Sequence, residues 1–190
     1  MPYPILAERI AQLLGAPAWN VSANWPILEG KLQALAIDTD LACVATLATV
    51  RVESPGFKPR YEMYNGDPQE YFKKYDGRFG NVNPGDGYKY RGRGFIELTF
   101  FDNYKEAGEA IGVDLVANPE LAMIPDTAAA LFAWYFKKHH VDVAANAQDW
   151  QRVRKLVNGG LNGYADFLMY VHRLLSNAAA EGSTVCQTHF

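Results

Sequence analysis

The chain has 190 residues, of which 49% are apolar and 21% charged, and a formal net charge of −3 at pH 7. These are the proportions of an ordinary globular protein long enough for a substantial core, expected here as a single domain over residues 1–180 with a flexible tail at 181–190. No Lys/Arg cluster is dense enough to track a phosphate backbone, so nucleic acid is excluded as an expected partner.

Apolar positions recur at helical spacing from Ile5 to Leu14, and Gly15 and Pro17 stop the run. Glu8, Arg9 and Gln12 interrupt it, so it reads as an amphipathic helix and not as a secretory signal. A second helix is expected from near Asn24 or Pro26, turning Ile27, Leu28, Leu32, Leu35 and Ile37 inward. Asp38, Thr39 and Asp40 offer capping oxygens to a third, with Leu41, Val44, Ala45, Ala48 and Val52 on one face. Its apolar run, Leu41 to Val50, is too short to span a bilayer, so no stable membrane insertion is expected. Two cysteines, Cys43 in this helix and Cys186 in the tail, do not make a disulfide framework.

The third helix ends at Glu53, because Pro55 and Gly56 follow and neither continues helical hydrogen bonding. A carboxyl group there faces the negative end of the helix dipole, which disfavours its charged form and suits a general acid. Glu62 comes nine residues later, after a turn stiffened by Pro55 and Pro59, with Lys58 and Arg60 nearby to favour the ionised form. One protonated and one ionised carboxyl are the minimum equipment of a glycoside hydrolase. Taken alone, the pair also fits ordinary surface glutamates.

From Gly66 to Gly94 the chain is rich in Gly, Asp, Asn, Tyr and Arg, with one short helix expected around Gln69 to Tyr75. Its aromatics and arginines argue against disorder. Tyr88 to Thr99 reads as a turn and a short extended stretch; Gly92 and Gly94 do not belong to a nucleotide-binding signature. Helices follow from Asp102 to Gly112, from Pro125 to the neighbourhood of His139 and His140, from Ala147 to Val157 and from Ala165 to about Ala180. Adjacent histidines diverge on a helix and cannot chelate one metal as an i, i+4 pair could, so no metal and no cofactor are expected. Asn158 to Gly163, NGGLNG, breaks the last two helices apart.

Three blocks together resemble glycoside hydrolase family 19, the chitinases and phage endolysins of the lysozyme-like superfamily. They are the helix ending in Glu53 with Phe57, Pro59 and Glu62; the run Tyr90-Arg91-Gly92-Arg93-Gly94-Phe95-Ile96-Glu97-Leu98-Thr99 with Asn103-Tyr104; and the NGGLNG turn. The middle block is specific, and the others gain weight from their order along roughly Trp25 to Leu175. The resemblance implies a mainly α, lysozyme-like, two-lobed fold with a cleft and little β structure. It also implies inverting hydrolysis of β-1,4-linked N-acetylated aminosugars.

By the same resemblance Glu53 is the acid and Glu62 the base that activates water, as in short-loop endolysins, while Thr99 helps hold that water. Tyr90, Arg93, Glu97, Asn103 and Asn158 are the candidate sugar contacts. The chain departs from the family at Glu97, usually Gln; at Phe100, often Gly; and at Phe167, where an arginine usually stands. The expected function is an endolysin-type glycosidase cutting the peptidoglycan glycan strand. The expected protein is a monomer made in the cytoplasm without a signal peptide and acting on the cell wall after release. The alternatives are a chitinase and a catalytically impaired glycan-binding module.

Overall fold

The computed structural model describes residues 3–180; the expected flexible tail and Cys186 lie outside them. In chain order the described helices are α1 (Ala7–Leu14), α2 (Ala18–Ala34), α3 (Asp40–Glu53), α4 (Pro68–Phe72), α5 (Asp86–Lys89), α6 (Phe101–Ile111), α7 (Pro125–Lys138), α8 (Val141–Asn146), α9 (Trp150–Asn158) and α10 (Tyr164–Ala180). Short 3-10 turns occupy Lys73–Tyr75 and Pro119–Met123. Strands β1 (Arg60–Tyr61) and β2 (Arg93–Gly94) form one antiparallel pair, Arg60 opposite Gly94 and Tyr61 opposite Arg93. The protein is mainly α, as expected. None of the described helices is long and apolar enough to cross a membrane.

The described residues pack as two compact units, one made of residues 3–58 with 136–180, the other of Pro59–Tyr135. The first is built on α3, which packs against α8, α9 and α10 and is buried at every position from Ala42 to Val50. Thr39 caps it by accepting from the Ala42 amide at 3.2 Å, as the Asp-Thr-Asp sequence predicts. Near its other end the Arg51 Nε donates to the Leu14 carbonyl at 2.9 Å and so caps α1.

Helix α2 starts at Ala18, eight residues before Pro26, and runs straight through that proline. Proline in a helix interior removes one hydrogen bond and costs about 3 kcal/mol. Val21, Asn24, Trp25, Leu28 and Leu32 lie buried along one face, and that burial outweighs the loss. The asparagines of this helix hold the turn after Glu53: Asn20 donates to the Gly56 carbonyl at 2.7 Å and Asn24 to the Phe57 carbonyl at 3.0 Å. The Ser54 hydroxyl bonds the Lys58 carbonyl, closing the turn.

The second unit is centred on a cluster of Tyr90, Leu98, Tyr104, Ala107, Leu115, Ala122 and Leu131. Its glycine-rich segment is ordered by polar side chains that bond backbone. Asp76 accepts from Gly85 and Gly87 amides at 3.0 and 2.7 Å, and the fully buried Asn81 joins the Tyr75 carbonyl to the Phe101 amide. Arg93 is 2% exposed. It donates to Glu120 through Nη2 at 2.6 Å, to the Tyr104 hydroxyl at 3.0 Å and to the Lys89 carbonyl at 2.9 Å. Although partial burial opposes it, the hydrogen bonds from Arg93 and Tyr61 hold the Glu120 carboxyl below the usual carboxylate range.

Two outcomes follow from this packing. The Thr46 and Thr49 hydroxyls are buried in α3 with no hydrogen-bond partner among the described residues. Thr46→Val should therefore stabilise the protein by about 1 kcal/mol in urea unfolding; a loss of stability would show that the hydroxyl serves the helix backbone. Because the Glu120 carboxyl is lowered in the folded state, its contribution is present above the ordinary value of 4.5 and is lost as pH falls through the depressed one. Glu120→Gln should thus cost stability at neutral pH and converge with the unmodified protein in acid. A pH-independent difference would contradict that origin.

Candidate active site

Glu53 and Glu62 belong to different units, and each carboxylate is held by donors of its own unit. Glu53 is the last residue of α3, where the sequence places it, and its side chain is 17% exposed. Its Oε1 accepts from Nη1 of Arg154, a side chain 3% exposed on α9. Helix-end electrostatics alone do not foresee this: a guanidinium stands beside the carboxylate. Removing one partner of so buried a pair costs about 3–5 kcal/mol, because the other charge is left desolvated. Asn158 closes α9 and is exposed, which leaves its amide open to a ligand.

Glu62 follows β1 directly, and its amide extends the strand pairing by donating to the Gly92 carbonyl at 2.9 Å. Its Oε1 accepts from the Tyr75 hydroxyl at 2.7 Å and its Oε2 from the Gly92 amide at 3.3 Å. Burial, together with the bond to Glu62, pushes the Tyr75 phenol up, so it stays a donor. Gly92 must lack a side chain here. A Cβ would stand 2.9 Å from the Glu62 Cβ, 3.1 Å from its Oε2 and 3.1 Å from the Glu97 Cβ.

Glu97 therefore flanks Glu62 across Gly92, and Arg60 Nε lies 3.5 Å from its Oε1. The Thr99 hydroxyl donates to the Glu97 carbonyl at 2.6 Å, and Asn103 donates to the Thr99 carbonyl at 2.7 Å. The Thr99 oxygen keeps lone pairs that can accept from a water, and Asn103 keeps its amide oxygen. The second unit thus sets Glu62 and Glu97 against one glycine and ties Thr99 and Asn103 to Glu97 through successive hydrogen bonds to backbone. Among the described residues no cluster of three or more His, Cys, Asp or Glu is arranged to hold a metal ion.

Two candidate sugar contacts lie in the interior of the second unit. Tyr90 and Arg93 are each 2% exposed, the phenol bonds the Val116 carbonyl at 3.3 Å, and the guanidinium is spent on Glu120, Tyr104 and backbone. Both hold the interior of the second unit, with these polar groups bonded within it. Sequence reasoning missed Arg154 and Tyr75. Arg154 shares a helical face with Trp150 and the buried Val153, and a charge on an apolar face was the available signal. Tyr75 carried no signal that distinguishes it among the chain's other tyrosines.

Over 122 residues the chain is 34% identical to a glycosyl hydrolase family 19 domain-containing protein of Haemophilus influenzae, in a match that takes in 57% of this chain and 58% of the relative. Over 95 residues it is 39% identical to Chitinase 2 of Oryza sativa subsp. japonica, covering 40% of this chain and 28% of that one. The chain thus spans less than two thirds of the length of these curated relatives. Chitinase C from Streptomyces griseus HUT6037 superposes with a TM-score of 0.67 at 22% identity, over 96% of this chain and 78% of that chain. A bacterial family 19 chitinase does so with 0.69 at 19% identity, over 90% and 94%. At such identities the likeness establishes the fold, which is helical and lysozyme-like. The family's sequence model, Chitinase class I, matches residues 57–151, half of the chain, and takes in Glu62, the block from Tyr90 to Thr99 and Asn103. With that match added to the fold and to a carboxylate cradled at Gly92, the chain belongs to glycoside hydrolase family 19.

Proposed function

We propose that this protein hydrolyses β-1,4 bonds between N-acetylated aminosugars with inversion at the anomeric carbon. The observation that carries the proposal is that Glu53 and Glu62, neither of them needed for packing, are each fixed by dedicated donors, Arg154 for one and Tyr75 with the Gly92 amide for the other. Glu62 takes a proton from the attacking water, and the Thr99 hydroxyl oxygen accepts a second hydrogen bond from that water. Glu53 gives a proton to the leaving oxygen from Oε2, its Oε1 being held by Arg154. Asn103 and Asn158 supply amides that bind the sugar chain.

For the substrate, an uncharged chitin-type chain is favoured by the acidic setting of the base. Glu97 beside Glu62 and a net charge of −3 both disfavour the anionic muramyl groups of peptidoglycan. The relatives named as chitinases agree with this preference. Peptidoglycan is the second reading, supported by the short nine-residue step from Glu53 to Glu62 that resembles endolysins. Glu97→Gln should raise relative activity on peptidoglycan if the third carboxylate sets the preference.

Purified protein should release reducing ends from chitin oligomers. Glu53→Gln and Glu62→Gln should each lower kcat by about 10²–10⁴-fold; Glu62→Gln should leave folding intact, whereas Glu53→Gln should also lower stability, because it leaves the buried Arg154 charge without its carboxylate. Gly92→Ala should act through displacement of Glu62 and lower kcat, and the shift it forces on the Glu62 and Glu97 side chains should lower the melting temperature as well. Release from peptidoglycan alone would establish the second reading, and binding without release from either polymer would establish a glycan-binding module.

A further inference from the structure

Arg154 is an unusual residue to find where it stands. It lies in the amphipathic helix α9 on the face that carries the buried Val153, and its whole residue is 2% exposed. A guanidinium so far from solvent is unfavourable unless its donors are met in the right plane. Here two of them are: Nε donates to the Asn162 carbonyl at 2.6 Å, and Nη1 to Glu53. The first bond sets the plane of the fork and the second uses it.

The next residue of the same turn contributes by what it lacks. Gly163 has φ of 69°, and a Cβ on it would stand 3.0 Å from Val52 Cγ1 and 3.5 Å from Arg154 Nη2. Its bare Cα lets the turn settle against the residue that precedes Glu53 and against the guanidinium together. Nearby, Phe167 is fully buried, with ring centroids 6.4 Å from Trp150 and 6.4 Å from Tyr164. The position on α10 where an arginine is missing is therefore filled by a packed ring, and the cation reaches Glu53 from α9.

We infer that Arg154 is the positioning residue of Glu53, and that Asn162 and Gly163 form the bracket that holds its guanidinium in place. The inference rests on Glu53 being the acid of the proposed hydrolysis. Arg154 touches no substrate in this role; it fixes Oε1 so that Oε2 presents the transferable proton in one orientation. The NGGLNG turn then has a second task besides any contact of Asn158 with sugar.

The test combines kinetics on chitin oligomers with NMR of the arginine side chain. In Arg154→Gln and Arg154→Lys, kcat should fall by about 10–100-fold while KM stays within about twofold, because a misplaced acid affects the chemical step and not binding. Lysine should fail to rescue, since a point charge cannot bond Asn162 and Glu53 in one plane. Gly163→Ala, which keeps the arginine, should give a smaller loss of the same kind and serves if the Arg154 variants fold poorly. The effect of Arg154→Gln should vanish in a Glu53→Gln background. In the unmodified protein the Arg154 Nε–H signal should be protected from exchange and should move in Glu53→Gln. Unchanged kcat in Arg154→Gln, full rescue by lysine, or an Nε–H signal indifferent to Glu53 would overturn the inference. An unmodified protein that cleaves no glycan would instead refute the hydrolase proposal, and the NMR result would still decide whether Arg154 holds Glu53.

Discussion

The ion pair between Glu53 and Arg154 joins the end of a helix buried along most of its length to a guanidinium almost out of contact with water. Neither partner has much freedom. Helix α3 is capped by Thr39 at one end, and at the other the chain is turned away by Ser54, Pro55 and Gly56. That turn is in its own right fastened to α2 through Asn20 and Asn24. A carboxylate placed by so many backbone contacts reaches its position when the first unit folds, so the ordering entropy is already met before any ligand arrives.

The second unit fixes its own carboxylate by a different device. A strand pair too short to be stable alone is held by the buried Arg93, whose donors go to Glu120, Tyr104 and backbone carbonyls. Directly after that strand pair, Glu62 leans on a glycine with no side chain and receives the Tyr75 hydroxyl. A glycine does the positioning here because two side chains, Glu62 and Glu97, converge on Gly92, and any Cβ would displace one of them. Glu97 shares that space, which makes the setting of Glu62 more acidic than a neutral amide would.

Much of this was legible in the sequence, and what was missed has identifiable causes. The end of α3 at Glu53 could be read because Pro55 and Gly56 cannot continue a helix. The start of α2 could not, since Pro26 is an equally good start signal and only tertiary burial shows that the helix runs through it. Helix α8 lies within an alanine-rich stretch whose break, at Gln148 with φ of 55°, leaves no Gly or Pro mark. The burial of Arg93 was not legible, because an arginine in a specific motif reads alike whether it faces a sugar or the interior. Arg154 went unread for a related reason. Its partner is 101 positions away, and no local pattern announces a contact at that separation.

The most direct measurement is proton NMR of a chitin hexamer during the first minutes of digestion, before mutarotation scrambles the anomers. A water activated by one carboxylate while the other protonates the leaving oxygen must yield new reducing ends in the α configuration. That is the expected result. New ends that appear first as the β anomer would contradict the roles given to Glu53 and Glu62, because they would require a covalent intermediate that an activated water does not form.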